Sequence, residues 1–407
     1  MTPVAGVAER RAGPPIWLLV MITITGTLAM HMFVPALPYA AHDLDTSIGA
    51  MQMTIGLYIV GLAVGQLFYG PLSDAFGRRP MLMIGLGLYT VAGLAALCAG
   101  SVHQLIAARL MQALGGCAGL ALGRAIVRDT ARSEKAVRQL ALMNLMMMIG
   151  PGFAPLIGGA VSSLFGWRAI FVVLTALGAI TLVLTWRLLP ETGKPTGVMS
   201  PKVLLNDYKQ LLSSPIFVGF TLGGGCSTTS VYSFIAAAPF ILTMQLHRPL
   251  HEVGFYLALL IFGMSLGNVL TSRLVGKISM QRLLLGSNIL SLVAAILFLL
   301  SVVLGQLTLV GTMVLLIVYT TGAGMSSPAA LSKAVSVNPK LVGSAAGLYG
   351  CTQMAVGAVC TSMVALGANP ALTVAVVLAV AATLGQLSFW LALTKERALP
   401  AEARQAA

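Results

Sequence analysis

Thr23, Thr27 and His31 stand four residues apart in an otherwise apolar stretch, so on a helix all three share one face. His31 is the member suited to chemistry. An imidazole, with an ordinary pKa of about 6.5, takes up and releases a proton close to neutral pH. The alternative is a neutral ring, hydrogen-bonded between helices, that fixes packing only. Arg109 and Gln112 form a second pair one helical turn apart, ahead of Gly115, Gly119 and Gly123. A guanidinium keeps its charge near neutral pH, so Arg109 releases no proton itself. It can tune a neighbour's proton affinity, hold a polar network, or simply snorkel to an interface. Asn144 adds an amide to a further apolar run, beside Met143 and Met146–Met148. Methionines there suit an adaptable pocket for varied ligands, or serve as plain filler. Tyr58, Gln66, Tyr232, Asn268, Gln353 and Gln386 are the other polar side chains able to line such a cavity.

The elements that must position these groups are membrane helices. The 407 residues are 57% hydrophobic and only 9% charged, where soluble domains carry roughly 25% charged residues. A bilayer core takes about 20 apolar residues per helix. On that rule twelve spans are expected, near 16–38, 51–70, 81–101, 104–126, 139–163, 167–189, 215–243, 252–272, 283–304, 307–331, 342–366 and 371–394. The organisation that follows is a tail at 1–15, a six-helix bundle at 16–189, a linker at 190–214, a second bundle at 215–394 and a tail at 395–407. The first run is too long for a signal-peptide core and reads as a retained span. Of the 24 Lys and Arg, all but Arg109, Arg168 and Arg248 fall on one side of this arrangement. The positive-inside rule then puts both termini and the linker in the cytoplasm.

The same inventory excludes much. The net charge of +13 is spread over span ends and forms no patch for a nucleic acid. Five cysteines, an odd number with no Cys-x-x-Cys, suggest neither a disulfide framework nor a zinc site. No metal-ligand spacing, Walker lysine or Ser-His-acid set occurs in the spans, so no enzyme, metal or cofactor is expected. No Asp or Glu lies in the core of any span.

Gly70-Pro71-Leu72-Ser73-Asp74-Ala75-Phe76-Gly77-Arg78-Arg79-Pro80 separates spans 2 and 3. It reads as a tight turn at one membrane face, with Gly70 and Gly77 supplying backbone freedom and the prolines fixing φ. The pattern resembles the loop between the second and third helices of the major facilitator superfamily (MFS). That resemblance implies an all-α fold of twelve transmembrane helices in two six-helix halves. It also implies that Asp74, Arg78, Arg79 and Asp129 form a cytoplasmic gating cluster. Asp74 can equally face the start of span 11, Gly343-Ser344-Ala345-Ala346-Gly347. Arg109-x-x-Gln112 resembles the span 4 motif of the same superfamily, in which the Arg is linked to proton coupling. Gly150, Pro151, Ala154, Pro155, Gly158 and Gly159 resemble its antiporter motif, with Ala154 for the usual Gly.

His31-Met32-Phe33-Val34-Pro35-Ala36-Leu37-Pro38 resembles the first span of the Bcr/CflA type of drug:proton antiporter, where an Asp usually stands at the position of His31. Trp167-Arg168 and Pro190-Glu191-Thr192 fit the same group. The resemblance implies a monomeric exporter in the bacterial inner membrane that exchanges small apolar or cationic compounds for protons. A carrier without proton coupling, importer or uniporter, and a non-transporting sensor are the competing readings. The missing core carboxylates favour the former of these.

Overall fold

The computed structural model of the chain describes residues 14–130, 150, 152–193, 195, 197, 201–338 and 341–398; Asn144 and Pro151 lie outside them. Eleven helices among the described residues are long and apolar enough to cross a membrane. Gly152–Phe165 is a shorter apolar helix in fifth position. Numbered in chain order, spans 1 to 6 are Ile16–Asp43, Ile48–Phe76, Arg78–Leu97, Val102–Thr130, Gly152–Phe165 and Arg168–Leu188. Spans 7 to 12 are Pro215–Gln245, Leu250–Leu274, Met280–Val303, Leu309–Ser336, Val342–Ala365 and Pro370–Arg397. The fold is all-α in two six-span halves.

Several span starts are set by local side-chain chemistry. Ser47, Ser214, Ser279, Thr308 and Asn369 each accept a hydrogen bond from the backbone N–H three residues on. These bonds satisfy donors that a helix start leaves orphaned.

The 70–80 segment departs from the expected turn. Span 2 stays helical through Gly70 and Pro71 as far as Phe76, and span 3 begins at Arg78. Gly77 alone makes the reversal, at φ +103°, a region that only glycine enters freely. Gly70 is an ordinary helical residue. Pro71 is tolerated because the carbonyl it leaves without a donor, that of Leu67, is taken by the Tyr208 hydroxyl at 3.1 Å. Tyr208 sits on Pro201–Leu212, a helix within the interval expected to be a plain linker.

Close glycine contacts lock the first half. A Cβ at Gly115 would lie 2.9 Å from Tyr89 Cα of span 3, and one at Gly119 would lie 2.8 Å from the Ile22 carbonyl carbon of span 1. The span 4 glycines therefore serve two neighbours. The halves meet where span 2 runs beside span 11, where span 5 abuts span 8, and where span 1 meets span 7.

The face with Arg78, Arg79, Arg187, Arg273 and Lys333 is here termed the basic face. On the opposite face, buried apolar side chains of both halves form one cluster, with Phe33, Met51 and Phe171 joined to Phe240, Leu257 and Val374. Towards the basic face the core divides in two. Leu18, Leu82 and Ile126 belong to the first half, and Phe217, Leu284 and Phe389 to the second. The halves thus share one core at one end of the seam and have a cluster each at the other, where Leu67 of span 2 still packs against the second.

Gly158→Val tests another contact as tight as that of Gly119, because its Cβ would meet the Met32 carbonyl carbon at 2.8 Å. Overpacking of this kind costs about 1–3 kcal/mol, read as a lower thermal midpoint in detergent. Gly286→Ala, with nothing within 4 Å of the new Cβ, should leave the midpoint within a degree or raise it.

Candidate functional site

Span 1 leaves regular α-helix only after Phe33. Pro35 has no N–H for the His31 carbonyl, and Val34–Ala36 tightens to a 3-10 turn. Three further carbonyls of this stretch take side-chain donors. The Tyr58 hydroxyl donates to Gly26 at 2.7 Å, His31 Nδ1 to Thr27 at 2.8 Å and Arg109 Nη2 to Ala29 at 3.1 Å.

Arg109 is fully buried and does not snorkel. Its Nη1 donates to Gln112 Oε1 at 2.7 Å. The guanidinium carbon lies 4.0 Å from the Tyr58 ring centroid, with Phe33 and Phe171 at 5.4 and 5.8 Å. Aromatic faces attract a cation, more strongly once water is excluded. No carboxylate pairs with Arg109 among the described residues. Its Nε and the Gln112 Nε2 have no hydrogen-bond partner there either.

His31 is 5% exposed. A carbonyl accepts only from an N–H, so the bond to Thr27 puts a proton on Nδ1 and leaves Nε2 as the acceptor of the neutral ring. The ring stands edge-on to Tyr232 of span 7, centroids 6.2 Å apart, which places His31 at the seam between halves. The Thr23 and Thr27 hydroxyls donate to carbonyls of their own helix, Leu19 at 2.7 Å and Ile24 at 3.1 Å.

The second half contributes a group that the sequence reading passed over. Span 7 is interrupted at Thr229–Ser230, between the helices Pro215–Thr228 and Val231–Phe240. Around the break, Ser227 bonds Ser326 and Ser230 bonds Tyr319, each at 2.6 Å. Thr229 donates to the Gln353 carbonyl, and Gln353 Nε2 donates to Thr228, again at 2.6 Å. Four consecutive hydroxyl residues inside an apolar run were the available signal. Gln386 accepts from Asn288 at 2.9 Å, and Asn268 donates back to Met264 in its own helix.

Span 5 lies between span 1 of its own half and span 8 of the other. Gly158 abuts Met32 of span 1, Pro155 abuts Gly254 of span 8, and a Cβ at Gly159 would lie 3.9 Å from both Pro35 Cβ and the His251 carbonyl oxygen. A Cβ at Gly150 would lie 3.6 Å from the Ile24 side chain, and Ala154 is fully buried.

On the basic face, Arg78 pairs with Asp74 at 2.6 Å and Asp129 at 3.0 Å, while Arg79 donates to the Trp186 carbonyl at 2.6 Å. Glu191 completes the cluster. Its carboxylate accepts from the backbone N–H groups of Arg78, Arg79, Thr192 and Gly193, so it caps the start of span 3 from a distant point in the chain. Near the start of span 11, Asp207 of the linker helix accepts from Ser344 at 3.3 Å. On the opposite face, Asp43 accepts from Trp167 at 3.0 Å and pairs with Arg168, and Arg248 pairs with Glu252 at 2.7 Å.

A polar, ionisable centre on the seam of a two-half helical bundle fits a carrier, and the comparisons give its family. The model of the Major Facilitator Superfamily matches residues 19–362, and the chain belongs to that superfamily: it is a multi-pass membrane transporter and not an enzyme. It is 30% identical over 393 residues to an uncharacterized MFS-type transporter, YdgK, of Bacillus subtilis, covering 94% of this chain and 95% of the relative. Identity is 31% over 334 residues to multidrug resistance protein D of Escherichia coli, covering 82% and 84%. It is 27% over 357 residues to a bicyclomycin resistance protein homolog of Haemophilus influenzae, covering 86% and 88%. A solved D-xylose-proton symporter shares the fold, with a TM-score of 0.72 at 14% identity over 93% of this chain and 96% of that one.

Glu191→Ala should remove the acceptor of four backbone donors. Loss of a helix cap costs about 0.5–2 kcal/mol, and the thermal midpoint should fall accordingly. Glu191→Gln, which keeps one carbonyl oxygen, should fall less.

Proposed function

We propose that the chain exports small amphipathic compounds across the bacterial inner membrane in exchange for protons, working as a monomer with its basic face and both termini in the cytoplasm. The observation that carries this reading is the seam itself. A titratable ring with one free nitrogen lies where the two halves meet, sealed off on one face by a shared core and bounded on the other by two separate ones. Alternating access needs such a site and two halves that trade contacts about it.

In the proposed cycle, His31 Nε2 takes the proton when the seam faces the acidic side and yields it when the seam faces the cytoplasm. Arg109, held by Gln112 and the Tyr58 ring, orients span 1 through the Ala29 carbonyl. The Asp74, Arg78 and Asp129 cluster, with Glu191 behind it, stabilises one arrangement of the basic face and so biases the equilibrium between states. Span 5 carries the relative motion through its glycine contacts to spans 1 and 8. Export is supported by the antiporter motif and by relatives named for multidrug and bicyclomycin resistance. A facilitator without proton coupling is the competing reading, favoured by the lack of any carboxylate beside Arg109 among the described residues.

Inside-out vesicles loaded with a pH-sensitive dye and acidified by respiration separate the two. Addition of candidate drugs should release protons, and His31→Ala should abolish that release while drug binding persists. Transport of a drug with no proton release would overturn the antiport reading. Arg109→Lys, which loses both the planar fork and the stacking, should lower transport about tenfold or more without changing the amount of protein in the membrane.

A further inference from the structure

Charge inside the membrane bears on which compounds the seam accepts, an inference that rests on the exporter reading. Every Asp and Glu among the described residues lies away from mid-span. Those at span ends are engaged locally: Asp43 with Arg168, Asp129 with Arg78, Glu252 with Arg248 and Glu396 with Lys333. The seam and its surroundings hold instead a cation, Arg109, and a base, His31. Among the described residues the Arg109 charge is met by a carbonyl, an amide oxygen and aromatic faces and by no carboxylate, so no opposite charge there cancels its field.

His31 offers a ligand only Nε2, because its other ring nitrogen is spent on Thr27. Neutral, that atom accepts a hydrogen bond; protonated, it presents a positive N–H. Neither state supplies negative charge. Across the seam Thr228 and Gln353 are neutral as well, and they bond each other. A permanent organic cation entering here would shed hydration without gaining a carboxylate, and would stand in the field of a like charge. The Tyr232 face would offset that only in part. An uncharged group that accepts or donates a hydrogen bond meets no such penalty, and a single negative charge is favoured. We propose that the seam between His31 and Tyr232 accepts uncharged or singly anionic amphipathic compounds and excludes permanent organic cations.

Three probes on one biphenyl scaffold test this, ending in a carboxamide, a carboxylate or a trimethylammonium group. Binding to the purified protein is measured by calorimetry, and transport in liposomes under an imposed pH gradient. The carboxamide and the carboxylate should bind, with the trimethylammonium probe weaker by about tenfold or more, roughly 1.4 kcal/mol. His31→Asp should reverse the order of carboxylate and trimethylammonium. His31→Asn, which removes the basic nitrogen and adds no charge, should narrow their difference without reversing it. A thermal midpoint near that of the wild type verifies that each variant is folded.

Equal affinity of the wild type for the trimethylammonium and carboxamide probes would overturn the inference, whether or not anything is transported. An unchanged order in folded His31→Asp would overturn the role given to His31. Binding in the expected order with no transport of any probe would sink the exporter reading and leave the charge preference standing. No binding by any probe would count against both.

Discussion

The burial of a guanidinium without a carboxylate partner constrains everything around it in the first half. Taking such a charge out of water costs several kcal/mol unless other groups replace the lost hydration. Here the replacement is distributed over the Ala29 carbonyl, Gln112 Oε1 and three aromatic rings. The contributors come from four spans, with Ala29 and Phe33 both on span 1, so spans 1, 2, 4 and 6 must meet at one point and hold their rotations there. The glycines of span 4 make that meeting possible by letting spans 1 and 3 approach on separate flanks. Charge compensation and close packing are therefore one requirement met by the same set of helices.

A related economy appears in the backbone. Lipid offers no partner to a carbonyl that a proline has stranded, so each must be answered from within the protein. Leu67, freed by Pro71, is answered by Tyr208 of the linker helix, and this ties the connecting segment to span 2. Asp207, the adjacent residue, reaches span 11. The linker thus touches both halves on the basic face, where their cores are separate.

Much of the architecture was legible in the sequence, because hydropathy and the distribution of Lys and Arg are direct consequences of a bilayer. The neighbours Arg109 and Gln112 were legible too, since residues three apart on a helix share a face. What escaped were relations across long stretches of chain. Glu191 was visible only as part of a family pattern; that its carboxylate caps a helix beginning at Arg78 depends on how span 6 returns to span 3. The 70–80 segment misled because glycine and proline ordinarily mark turns, whereas Gly70 and Pro71 lie inside a helix whose stranded carbonyl is rescued from elsewhere. The break in span 7 went unnoticed because serine and threonine also sit comfortably in unbroken membrane helices by bonding back to their own turn.

Gly77 carries one more consequence. A connection of a single residue between spans 2 and 3 allows them to pivot but not to slide along each other, so the pair is geared together like the two arms of a crank. Span 2 runs along the seam beside span 11, and span 3 lies against spans 4 and 6. Any axial displacement imposed on span 2 at the seam is therefore passed at full stroke into the interior of its own bundle. A longer, slack loop would absorb that stroke and leave the rest of the half unmoved.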